Sequence, residues 1–360
     1  MSMLSKLNKE LNRQLDQPAE PHRLRWWHIP LLLLLIAGTI YVVMQNKGGK
    51  PSADSNETVA YQRCEGGIFG TFYHITYQYP TDLHDSIKQV MHEVDNSLSP
   101  FNPNSVISAI NNNTAYTTDD HFRRVFNLAK HISAETDGAF DITVAPLVNA
   151  WGFGFKNKEQ ITDELIDSLL PLVGMDKVWL DDTLLCKADT SIMLDCSAIA
   201  KGYGVDAVAQ MLEAKGVVNY MVEIGGELRV SGLNPKNRQW NIGVVKPDPD
   251  PSGQNNELEE VLSLTDIAMA TSGNYRNFYE EGNQRYAHTI DPRTGRPVQH
   301  NILSSTVLAA DCATADAYAT AFMVLGLEGA KAVLEQHPEL KVYFIYSDSD
   351  GRNAVWRKGI

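Results

Sequence analysis

An aspartate and a threonine stand four residues apart in "ATADAYAT", residues 313–320, a stretch that runs on into Ala321, Phe322, Met323, Val324 and Leu325. Alanine is the best helix former, so the run reads as an apolar helix with Asp316 and Thr320 on one face. A carboxylate on such a helix is costly unless something pairs with it. A satisfied polar contact for Asp316, with Thr320 bonded back to its own helix, is one solution. A hard cation is the other: Mg2+ takes oxygen ligands, commonly one or two carboxylates together with substrate phosphates. One Asp and one hydroxyl make part of such a shell, and a phosphorylated ligand would complete it.

Three more stretches carry chemistry. "IMLDCSAIAKGYGVD" (192–206) predicts a short strand over 192–194 that ends in Asp195 and turns into a helix. Backbone N–H groups at a helix start attract anions, and Lys201 adds charge. A plain corner capped by an Asp or Ser is the alternative. The GxxxxGK[ST] spacing of a P-loop is absent. "RYAHTIDPRTGRPV" (285–298) is turn chemistry: Asp291 starts an Asx turn, Pro292 fixes φ and Gly295 permits positive φ. His288 adjoins this rigid, Arg-bearing turn, where an imidazole can be positioned for acid–base work. "TDGAFDITVAPLVNAWGFG" (136–154) sets Asp141 among Phe140, Trp151 and Phe153, with Phe155 just beyond. It is either core and turn, or a wall against which a flat ring binds.

The elements that must hold these residues come in clusters. "FYHITYQY" (72–79) alternates as a strand. Helical periodicity follows over 82–99, with Ile87, Val90, Met91 and Val94 on one face, and again over 121–139 and 200–216. "NYMVEIGGELRVSG" (219–232) is a hairpin turning at Gly225-Gly226; "QWNIGVVKP" and "EVLSLTDIAMATSG" are further strands. "ADCATADAYATAFMVLG" and "EGAKAVLEQHP" are two helices, "KVYFIYS" a late strand, and 247–260 an exposed acidic loop. Clustered strands without strict βα alternation predict an α+β fold, and the length of 61–360 suits the one large domain expected here, or two intimate halves.

The composition is that of a globular chain, 43% hydrophobic and 21% charged. Its formal charge of −13 is spread without a basic block, which argues against nucleic acid as a partner. The N-terminus differs. Residues 26–44, "WWHIPLLLLLIAGTIYVVM", contain no Asp, Glu, Lys or Arg and have the length of a membrane span. Lys6, Lys9, Arg13, Arg23 and Arg25 precede it, against Lys47 and Lys50 after it. The positive-inside rule therefore expects a cytoplasmic tail (1–25), a single-pass inner-membrane anchor (26–44) and a linker (45–60), with the globular domain on the extracytoplasmic, periplasmic side. A cleaved signal peptide is the rival; the run is long for one, and "QNKGGKPSAD" is a poor cleavage site. Cys64, Cys186, Cys196 and Cys312 match no zinc spacing and make no disulfide scaffold; Cys196 and Cys312 each follow an Asp in a site-forming stretch.

In this order the quoted stretches, with "VEIGGELRVSG", "SGNYRNF" and "ADAYATAFMVLG", resemble the ApbE family of FAD:protein FMN transferases over about residues 61–345. The resemblance implies Mg2+-dependent transfer of FMN from FAD to a Ser or Thr hydroxyl of an acceptor flavoprotein, an exported protein or a membrane redox-complex subunit. It implies a magnesium site of Asp316, Thr320 and a backbone carbonyl at or beside Ala198. It implies FAD contacts from Asp195, Lys201, Ala139, Phe140, Asp141 and Ile290, and it matches His288 to a residue proposed to act in transfer. The chain departs from the family pattern in "FGT", with Phe69 for the usual Met, in "SPFNPNSVISAIN", where Phe101 keeps an aromatic but loses a phenol, and in "EIGG", with Glu223 for the usual Asn. These departures bear on flavin and adenine contacts, not on the magnesium pair. Two other functions use the same residues: an FAD pyrophosphatase giving FMN and AMP, and a non-enzymatic flavin carrier. Asp316, Thr320 and Lys201 speak against a carrier, because storage needs no metal.

Overall fold

The computed structural model describes residues 59–156, 159–247, 257–273, 278–281, 284–287, 289–299 and 301–360. The expected tail, the 26–44 anchor and all but the last two residues of the linker lie outside the described residues, as do His288 and most of the acidic loop. In chain order the strands are β1 (Tyr61–Ile68), β2 (Thr71–Gln78), β3 (Val178–Asp181), β4 (Leu184–Lys187), β5 (Tyr220–Ile224), β6 (Glu227–Ser231), β7 (Trp240–Val245) and β8 (Leu258–Leu264). They continue with β9 (Ile267–Gly273), β10 (Phe278–Glu281), β11 (Gln284–Ala287), β12 (Ile290–Asp291), β13 (Arg296–Pro297), β14 (Ile302–Ala309), β15 (Lys341–Ser347) and β16 (Asn353–Lys358). The helices are α1 (His84–Leu98), α2 (Val106–Asn111), α3 (Asp120–Glu135), α4 (Ala145–Ala150), α5 (Asp163–Leu169), α6 (Ala200–Ala214) and α7 (Cys312–Gln336).

Eight strands form one antiparallel sheet in the order β1-β2-β5-β6-β9-β14-β15-β16. Helices α6 and α7 pack on each other and on this sheet, and α1 and α3 pack against them. The result is a single mixed α+β domain. Its core is built as the periodicities require: α1 buries Ile87, Met91 and Val94, and α3 buries Phe122, Val125, Phe126 and Ala129. The Asp119 carboxylate caps α3 by accepting from the Phe122 amide at 2.8 Å.

Three local findings bear on the site. Helix α7 is broken at Gly326 (φ 71°, ψ 177°), so it is two helices meeting at a residue that alone tolerates that backbone, as the sequence reading expects. Only when taken through this break is it, among the described residues, the one helical stretch long and apolar enough to cross a membrane, and it lies largely buried in the core. The stretch 258–273 is two strands in different sheets, because the chain turns at Asp266 (φ 51°) between β8 and β9. Residues 192–194, expected to be a strand, are not one. Among the described residues no strand pairs with them. The buried Asn111 side chain does so instead, accepting from the Leu194 amide and donating to the Leu194 carbonyl, both at 2.8 Å.

Candidate functional site

A cleft of about 620 Å3 opens where α6 begins, α7 runs beneath, and the β5–β6 turn, β7 and β9 form the walls. That volume is in the range of small-molecule sites, roughly 300–1,000 Å3. Ala139, Phe140, Asp141, Asp195, Ala198 and Lys201 line it, and so do Ile290, Asp316 and Thr320. Nine sequence-predicted residues, drawn from four separate stretches, therefore meet in one cavity. Phe69 and Phe101 are not in its lining. Phe69 packs between two core clusters, where a Cβ added at Gly204 would come within 2.6 Å of its ring. Phe101 is 65% exposed and meets Phe155 edge to face, ring centres 6.2 Å apart.

The floor explains why an apolar helix carries a carboxylate. Asp316 is buried at 2% exposure on α7. Its Oδ2 accepts from the Gly202 amide at 3.0 Å, at the start of α6. That amide thus bonds to Asp316 and not to the Ala198 carbonyl one turn back. The contact is close because position 202 lacks a side chain: a Cβ there would lie 2.4 Å from the Cys312 carbonyl oxygen and 2.8 Å from Asp316 Cβ. Asp316 Oδ1 lies 3.9 Å from Lys201 Nζ, an ion pair rather than a hydrogen bond. Four residues on, Thr320 Oγ1 meets Ser272 Oγ of β9 at 3.0 Å.

Lys201 is shared. Its ammonium donates to Glu227 Oε1 at 2.6 Å. Burial opposes that charge, but Asp316 and Glu227 outweigh it and hold the ammonium above the usual lysine range. Glu227 is only 4% exposed, and burial pushes its carboxyl upward against the pull of Lys201. Its second oxygen, Oε2, is buried without a hydrogen-bond partner. Glu227 was not singled out by sequence reasoning. It stands one residue after the Gly225-Gly226 turn, where hairpin residues are usually solvated, and only the sheet order turns it inward.

The other predicted residues are placed by turns. Asp195 Oδ1 accepts from the Ser197 amide and hydroxyl at 2.8 and 2.5 Å, closing the corner before α6; burial raises its pKa against those two bonds. Asp141 Oδ1 accepts from the Thr143 amide and hydroxyl at 2.7 and 2.6 Å, and its Oδ2 from the Met175 amide at 3.1 Å. It thus ties the 174–175 segment beneath the cleft, and burial again pushes its carboxyl up. In the "DPRTG" turn, the Arg293 guanidinium grips Asp291 in bidentate fashion, both bonds 2.9 Å, and Trp151 Nε1 donates to the Gly295 carbonyl at 2.8 Å. Ile290 is buried beside Leu147 and Trp151. All four cysteines are free thiols; Cys196 and Cys312 are buried, in different core clusters. No set of three or more His, Cys, Asp or Glu converges with metal-site geometry among the described residues.

A cleft with an apolar wall, a lysine between two carboxylates on its floor and a helix start at its edge has the size and mixed lining of a small-molecule site. The ApbE family model matches residues 69–344, and the chain belongs to the ApbE family. It is 37% identical over 297 residues to an FAD:protein FMN transferase of Vibrio cholerae, covering 79% of this chain and 87% of that one. It is 38% identical over 334 residues to the Haemophilus influenzae protein of the same name, covering 88% and 94%. Among solved structures, the flavin transferase ApbE from Vibrio cholerae superposes with a TM-score of 0.75 at 36% identity, covering 83% of this chain and 97% of that one. The apo flavinyl transferase ApbE of Pseudomonas stutzeri gives 0.74 at 31%, covering 83% and 95%.

Proposed function

We propose that the protein transfers FMN from FAD to a Ser or Thr hydroxyl of an acceptor protein, with Mg2+ bound at Asp316, Thr320 and the Ala198 carbonyl. The observation that carries this reading is the meeting, in one cleft of an ApbE-family chain, of Asp316, Thr320, Lys201 and the Ala198 turn. The donor set suits a hard cation: a carboxylate, a hydroxyl and a carbonyl from which the Gly202 amide has been diverted. When bound, Mg2+ supplies charge stabilisation at the pyrophosphate. Lys201 holds the anionic pyrophosphate beside it, and the Asp195 corner and start of α6 orient it. Ala139, Phe140, Asp141 and Ile290 receive the flavin end. Phe69 acts from behind, by fixing α6 through Gly204; Phe101, exposed and outside the cleft lining, is given no role in it.

The acceptor hydroxyl oxygen forms a bond to the FMN-side phosphorus, and the bond from that phosphorus to the oxygen of AMP breaks. AMP carries away the electron pair, and the hydroxyl proton passes to a base, for which His288 is the candidate. Catalysis is positioning plus charge stabilisation. The catalytic domain is held at the periplasmic face of the inner membrane by the 26–44 anchor and its linker, so that acceptors are exported or membrane-bound. Incubation of the full chain with FAD, Mg2+ and a candidate exported flavoprotein, read by intact mass, tests the reaction. Acceptor gaining one FMN with equimolar AMP supports transfer; free FMN and AMP with unmodified acceptor supports a pyrophosphatase; unchanged FAD sinks both.

A further inference from the structure

We infer that Glu227 belongs to the cation site: its unpaired Oε2 supplies a second carboxylate oxygen to the cation held by Asp316, and Lys201 keeps the two carboxylates together until the cation arrives. The inference rests on the Mg2+ reading above. Its first ground is an orphan. A buried carboxylate oxygen without a partner is strongly disfavoured, yet Glu227 Oε2 has none, and Glu227 is one of the residues lining the same cleft as Asp316 and Thr320. Its second ground is the position of Lys201. The ammonium lies 2.6 Å from Glu227 Oε1 and 3.9 Å from Asp316 Oδ1, so one positive charge bridges two buried negative ones. A divalent cation between them neutralises both carboxylates, and Lys201 is then free to turn from Asp316 toward the substrate phosphates. The third ground is chemical. Two carboxylates are within the usual complement of a Mg2+ site, and a second one neutralises the cation before any substrate phosphate arrives.

Mn2+ binding by the full-length protein, followed by electron paramagnetic resonance and calorimetry with and without FAD, tests this independently of turnover. Glu227→Gln keeps the size and the Lys201 bond but removes the charge. Mn2+ should bind roughly 10- to 100-fold more weakly, the range seen when supporting groups of a metal site are removed. Lys201→Met removes the competing charge and should tighten Mn2+ binding without FAD. If Glu227→Gln melts early, the Lys201→Met arm alone decides: unchanged or weaker binding there overturns the inference. Glu227→Gln with wild-type Mn2+ affinity, while Asp316→Asn loses it, overturns the inference and leaves the magnesium reading intact. Wild type that binds no Mn2+ under either condition overturns both.

Discussion

Gly202→Ala is the substitution that the packing of α6 on α7 makes most informative. The added methyl would stand 2.4 Å from the Cys312 carbonyl oxygen, 2.7 Å from the Cys312 carbonyl carbon and 2.8 Å from Asp316 Cβ. Two of these atoms are backbone, so no side-chain rotation relieves the clash. Carbon–oxygen contacts settle at about 3.3–3.6 Å, so the helices must part by roughly 1 Å. Overpacking of this kind costs about 1–3 kcal/mol. A loss of that size lowers the melting temperature by roughly 2–4 °C per kcal/mol in large domains. The effect on activity should be greater. The same movement stretches the 3.0 Å bond from the Gly202 amide to Asp316 Oδ2 and shifts Asp316 relative to Lys201 and Ala198. A misplacement of about 1 Å in a positioning group costs on the order of 100-fold in rate. The assay is FMN transfer to an acceptor, read by in-gel flavin fluorescence, beside thermal melting of the same sample. A Gly202→Ala protein that transfers FMN at the wild-type rate would refute the coupling of the two helices to the site.

Other expectations follow from single side chains. Burial pushes the Asp206 carboxyl up to about 6, against the pull of the Cys312 and Ala313 amides that it accepts at 2.9 and 2.8 Å. A raised carboxyl binds its proton more tightly in the folded state, so its contribution is full below the ordinary carboxylate range and fades as pH rises through 6. The loss between pH 5 and 7.5 amounts to about 1 kcal/mol, and Asp206→Asn should flatten the stability-against-pH curve by that amount; parallel curves would contradict it. Asn111→Ala leaves the Leu194 amide and carbonyl without their side-chain partner, which should cost about 2–4 kcal/mol by urea unfolding. A loss under about 0.5 kcal/mol, the scale of an ordinary surface change, would mean that water replaces the side chain. Thr320→Val breaks the 3.0 Å contact with Ser272 and removes a neutral oxygen that water can replace. It should raise the Mg2+ concentration for half-maximal transfer severalfold, well short of Asp316→Asn.

Much of this site could be read from residue order because its residues sit at local punctuation. Asp316 and Thr320 share a helix face, Asp195 and Lys201 flank a helix start, and Asp291, Pro292 and Gly295 spell a turn. Such signals depend on neighbours in the chain. What escaped depends on distant partners. Glu227 is polar and follows a turn, so nothing local says that β6 lies between β5 and β9 and turns it into the cleft. The extended 192–194 stretch looks like a strand because its residues are apolar and β-prone, but its partner is one side chain 83 positions away. Asp141 sits among aromatics that suggest a ring-binding wall, and the structure adds a second task, capping Thr143 and tying down Met175. The order of the eight strands, with β2 beside β5 and β6 beside β9, has no signature in any window of the sequence.

The proposed FMN transfer depends on the Asp316 charge holding the cation. The most direct measurement is intact-mass analysis of an acceptor incubated with FAD and either wild type or Asp316→Asn across a Mg2+ titration, with an EDTA control. Asn keeps the size and hydrogen-bonding capacity of the side chain but not the charge a hard cation requires. The expected result is a collapse of transfer in Asp316→Asn, only partly rescued by excess Mg2+, and no transfer by wild type in EDTA, while both proteins stay folded by thermal melting. Wild-type transfer rates in the variant, or wild-type transfer unaffected by EDTA, would contradict it.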